Sequence, residues 1–83
     1  MRSRQGNLVT ITTVMRVQRT LQAREGGEPL VATPAGFVDL VTAHDVVEIR
    51  QVSDWQSGLK VLVYAPYFPG RKPRLHLFGG YTN

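Results

Sequence analysis

Between Leu8 and Arg24 the apolar positions Leu8, Ile11, Val14, Met15, Val17 and Leu21 recur at intervals of three and four. That is the period of an amphipathic helix and predicts a first helix over this stretch, although its β-branched opening LVTITTV has weak helix propensity. The preceding MRSRQGN carries arginines and little to bury, so it is expected to fray. Gly26-Gly27 supplies a stop. The pattern then changes to alternation over Pro29–Thr33, Phe37–Val41 and Val46–Val52, with turn-rich PAG and TAHD between them, which predicts a three-stranded antiparallel meander. Ser53 and Gln56 have capping-box spacing. From there Trp55, Leu59, Leu62 and Val63 fall on one helical face, expected to pack on the sheet, and Pro66 ends the run. The loop PYFPGRKPR leads to a last strand, Arg74–Phe78, and a GGYTN tail.

The predicted order is αβββαβ, an α/β fold with a four-stranded mixed sheet flanked by two helices. A helical crossover makes the third and fourth strands parallel.

A chain of 83 residues is expected to form a single domain over 1–83 that buries only about 60% of its unfolded surface. So thin a core favours a homodimer. The longest apolar run, Val61–Ala65, is too short to span a bilayer, and no secretory signal is visible, so a cytoplasmic or other intracellular location is expected. The absence of cysteine excludes disulfides, thiolate metal sites and a cysteine nucleophile. Ten Lys and Arg against six Asp and Glu give a net charge of +4. That excess favours an anionic partner, most commonly nucleic acid.

The stretch GFVDLVTAHDVVEIRQV concentrates the candidate chemistry. A hairpin centred between Ala43 and His44 sets Asp39 directly opposite Glu48, with Arg50 on the same face. Opposed carboxylates need compensation. A divalent cation held by both is one solution and the Arg50 guanidinium is the other, the second giving an ordinary ion network.

Gly26-Gly27-Glu28, Thr33-Pro34-Ala35-Gly36-Phe37-Val38-Asp39, Glu48-Ile49-Arg50, Trp55, Tyr64 and His76-Leu77-Phe78-Gly79 occur in that order. The set resembles the PD-(D/E)XK, or restriction-endonuclease-like, nuclease superfamily, in particular small nucleases of phages, large DNA viruses and bacteria. The resemblance implies hydrolysis of DNA phosphodiester bonds with Mg²⁺ or Mn²⁺. Asp39 and Glu48 would be metal ligands, Glu28 a further acidic ligand, and Arg50 or Lys60 the cationic catalytic group. RNA is a second candidate substrate. Arg50 stands where that family has lysine, and arginine is a poor proton acceptor. Lys60 is either the replacement ammonium or a solvated helix lysine. The alternative function is a catalytically inactive nucleic-acid-binding or structural module with the same fold.

Glu28 reads equally as an exposed turn residue. Arg71, Lys72 and Arg74 either grip phosphates or keep a Pro-rich loop soluble. Trp55 is expected in the core, His76 as a hydrogen-bonded strand residue and His44 as a turn residue. Phosphate-loop, zincin and α/β-hydrolase motifs are absent.

Overall fold

The computed structural model describes residues 2–80, with side chains from Thr12 onward. Helix α1 (Arg2–Glu25) leads into strands β1 (Glu28–Thr33), β2 (Gly36–Val41) and β3 (Asp45–Gln51). A 3₁₀ segment (Val52–Lys60), the short helix α2 (Val61–Tyr64) and a 3₁₀ turn (Ala65–Tyr67) precede β4 (Lys72–Phe78). The sheet order is β1-β2-β3-β4, with β3 and β4 parallel and the other pairs antiparallel. This is the expected mixed four-stranded sheet with two helical segments. Among the described residues no helix is long and apolar enough to cross a membrane.

Helix α1 begins at Arg2 rather than Leu8, since extending a nucleated helix adds one hydrogen bond per residue fixed. Residue 1 of the stretch expected to fray, and residues 81–83 of the tail, lie outside the described residues.

Two hydrophobic layers sandwich the sheet. Leu21, Leu40, Val47 and Ile49, with Val14, Val17 and Phe78, form the α1 side. Val38, Val41, Val46, Val61 and Tyr64, with Val31, Ala35 and Phe68, form the α2 side. Val38 and Leu40 would share a face under a strict period of two, yet they belong to opposite layers, so the alternation of β2 flips at Asp39. On the neighbouring strand Leu30 has φ 51°, a left-handed conformation that costs a non-glycine residue about 1–2 kcal/mol. The Pro29↔Leu40 and Val31↔Val38 pairs flank this Leu30–Asp39 distortion.

The second helical region departs most from expectation. Trp55, Leu59, Leu62 and Val63 are exposed, and Gly58, Val61 and Tyr64 are buried instead. The buried positions are three apart, a spacing that stays on one side through the 3₁₀ segment and into the single turn of α2. Gly58 sets this geometry: a Cβ there would lie 2.2 Å from Leu75 Cδ1 and 3.0 Å from Arg50 Cγ, so the segment meets the sheet through its glycine. Ser53 forms no capping box, because Gln51 is the N-cap and makes no side-chain capping bond. The Ser57 hydroxyl instead donates to Asp54 Oδ2 at 2.7 Å, next to a kink at Asp54.

Candidate nucleic-acid interface and the buried ion cluster

The β2–β3 hairpin pairs Leu40 with Val47 and Val41 with Val46, the register expected from the turn. One step beyond, side chains replace the backbone ladder. The Asp39 N–H donates to Glu48 Oε1 at 3.1 Å, and the Ile49 N–H donates to Asp39 Oδ2 at 2.8 Å. The Asp39 carbonyl accepts from Gln18 Nε2 of α1. Gln18 is buried on the helix face that carries Val14 and Leu21. Sequence reasoning passed over it, although a glutamine within an apolar stripe signals a buried hydrogen bond.

Arg50 lies between the two carboxylates. Its Nη1 is 3.0 Å from Asp39 Oδ2 and its Nη2 is 2.8 Å from Glu48 Oε2. It also donates to the Ile49 carbonyl at 2.7 Å and, through Nε, to Ser57 Oγ at 3.0 Å. Glu48 is only 1% exposed. Burial above all, then the neighbouring Asp39 charge, raises its pKa to about 7, against the Asp39 N–H, Arg50 and Lys60. Lys60 itself lies over the Tyr64 ring at 5.5 Å, so its charge reaches Glu48 from a cation–π seat.

This donor set does not suit a divalent ion. Three of the four carboxylate oxygens accept hydrogen bonds from Arg50 or from backbone N–H groups, and the guanidinium fills the place between them. Glu28 does not join them: it lines a separate cleft with Phe68 and Arg71, whereas Asp39 and Arg50 line one with Met15 and Leu30. Among the described residues no group of three or more acidic, His or Cys side chains could hold a metal.

Arg74, expected to contact nucleic acid, bridges Asp45 Oδ2 at 2.9 Å and Glu25 Oε2 at 2.8 Å. It thereby ties the end of α1 to the β2–β3 turn. Arg71 and Lys72 remain exposed. Arg16, Arg19, Arg24, Lys60, Arg71 and Lys72 have no ion-pair partner among the described residues, and Arg16, Arg19 and Arg24 are exposed on α1. Sequence reasoning missed these arginines, although Arg16 and Arg24, two turns apart along positions 16, 20 and 24, share one side of the helix. His76 was expected to be hydrogen-bonded, but its half-buried ring has no such partner among the described residues.

Three curated proteins of Acanthamoeba polyphaga mimivirus are similar to this chain. The KilA-N domain-containing protein L33 is 34% identical over 68 residues, covering 81% of this chain and 28% of its own length. R878, also named KilA-N domain-containing, is 31% identical over 81% of this chain and 19% of its own. L32, named likewise, is 31% identical over 76% of this chain and 17% of its own. The chain thus spans about a quarter or less of these relatives. No family model and no solved structure matches it.

These relatives overturn the nuclease resemblance. KilA-N is a different domain family from the PD-(D/E)XK nucleases, and the nuclease, endonuclease and hydrolase assignments fall with that resemblance. The local D…ExR pattern has a structural explanation. Asp39, Glu48 and Arg50 repair a broken strand ladder, with the guanidinium offsetting part of the carboxylate charge, which accounts for the same spacing without phosphodiester chemistry.

Proposed function

We propose that this chain is a DNA-binding module without catalytic machinery. One observation carries the reading: Arg50 and Arg74 gather four of the six carboxylates into two compact clusters, each keeping at most one net negative charge, and so leave most of the other cations unpaired. Among the described side chains that leaves Glu28 and Asp54 against Arg16, Arg19, Arg24, Lys60, Arg71 and Lys72. Such a surface attracts a polyanion through counterion release, which requires no particular base sequence. The similarity to KilA-N domain-containing proteins favours a DNA-binding module over a metal-dependent nuclease. Arg71 and Lys72, exposed at the start of β4, are the loop's phosphate contacts in this reading.

Fluorescence anisotropy with a labelled duplex across a salt series tests it. Binding is expected to weaken linearly in log–log form, and the Arg71→Gln/Lys72→Gln double variant should reduce the slope by about 2, about one per lost phosphate contact. Absence of duplex binding at about 50 mM salt, where electrostatic affinity is strong, overturns the reading.

A further inference from the structure

β4 is an edge strand, and its register with β3 pairs His76 with Ile49 and Arg74 with Val47. Ile49 and Val47 belong to the α1-side layer, so His76 also faces α1. A depression of about 350 Å³ lies there, lined by Arg16, Thr20, Arg24 and His76 over a floor of Val17 and Leu21. Helical spacing explains the wall: positions 16, 20 and 24 form one ridge of α1, and this ridge runs beside β4. The Thr20 hydroxyl is already committed to the Arg16 carbonyl at 3.0 Å. The available donors are therefore the Arg16 and Arg24 guanidinia and the His76 imidazole.

We propose that this depression between α1 and β4 seats one tetrahedral oxyanion, a backbone phosphate of bound DNA. The inference rests on the DNA-binding reading and deepens it, because it turns part of a diffuse basic surface into a defined contact. Arginines without carboxylate partners and an imidazole without a hydrogen-bond partner converge on one concavity. A phosphate would supply acceptors to all of them, and two guanidinia can grip its oxygens through paired N–H groups. The bare site carries excess positive charge. Burial, then the charge of Arg74, lowers the His76 pKa, with Arg24 acting in the same sense and Glu25 opposing them. Glu25 is itself held by Arg74. An anion between Arg24 and His76 reverses this balance and favours the imidazolium.

The test is an NMR pH titration of the His76 ring in the full chain with no added anion, with sulfate and with a short duplex. Sulfate serves as the free-oxyanion probe because it keeps its charge throughout the titration. Both additions are expected to raise the His76 pKa by about half a unit or more, the size of shift a nearby opposite charge produces. Arg24→Gln should abolish the shift and weaken duplex binding about three- to tenfold at low salt, the electrostatic loss of a phosphate contact. A duplex that binds without moving His76 overturns this seat and leaves the DNA-binding reading intact. A His76 shift with sulfate, with no duplex binding, assigns the depression to a free anion and overturns both the DNA contact and the broader reading. A shift that survives in Arg24→Gln overturns the proposed clamp.

Discussion

Asp39 and Glu48 meet across β2 and β3 through reciprocal side-chain replacement of the backbone ladder. The Asp39 N–H donates to the Glu48 carboxylate, and the Asp39 carboxylate accepts the N–H of Ile49, the residue after Glu48. The Arg50 guanidinium then joins the two carboxylates. The sheet can flip its alternation here, opposite the left-handed Leu30, because the Asp39 N–H, the Asp39 carbonyl and the Ile49 N–H each find a charged or amide side-chain partner.

Glu48 makes stability depend on pH. Burial first, and then the Asp39 charge, raise its pKa from 4.5 to about 7, so between those values the folded chain retains a proton that the unfolded chain has lost. This contribution is fully present below pH 4.5 and disappears as pH rises through about 7, a loss on the order of 3 kcal/mol. Urea unfolding midpoints measured across this interval should fall for the parent and change much less for Glu48→Gln. Equal slopes in the two proteins would refute the assignment.

Gly58 and Leu75 fix the approach of the 3₁₀ segment to the sheet. Gly58→Ala places its methyl carbon on Leu75 Cδ1 and is expected to destabilise the chain by about 1–3 kcal/mol, as overpacking does. Leu75→Ala removes the colliding atom, so the double variant should be more stable than additivity of the single changes allows. A double-mutant cycle by chemical denaturation checks this, and strict additivity would contradict the contact.

The exposed side of the second helical region can be distinguished from the buried side by substitution. Leu62 is 60% exposed while its neighbour Val61 is 4% exposed. Leu62→Ser should change stability by less than about 0.5 kcal/mol, the usual range for surface positions. Val61→Ala should cost about 1–3 kcal/mol through lost burial and a residual cavity. Thermal melts of both variants decide the matter, and the opposite ranking would restore the face expected from the apolar spacing.

Much of the fold was legible in local pattern. Gly26-Gly27 and the TAHD turn punctuated the first helix and the hairpin, and the hairpin register brought Asp39, Glu48 and Arg50 to one place. These are short-range consequences of period and turn chemistry. The parallel pairing of β3 and β4 followed from the helical crossover between them. What the cluster does was not legible, because one spacing of Asp, Glu and a cation fits either a metal site or an ion pair. Only the positions of the Arg50 nitrogens and the Asp39 and Ile49 N–H groups distinguish the two. The inward face of the second helical region was hidden for a similar reason. Its apolar residues followed α-helical spacing, whereas the close approach of Gly58 to Leu75 turns a different side inward and buries Val61 and Tyr64 instead. Net charge pointed towards an anionic partner from composition alone. Which arginines are available for it was decided by tertiary structure, since Arg74 is joined to Glu25 and Asp45, residues distant in sequence that are brought together when α1, the hairpin turn and β4 pack.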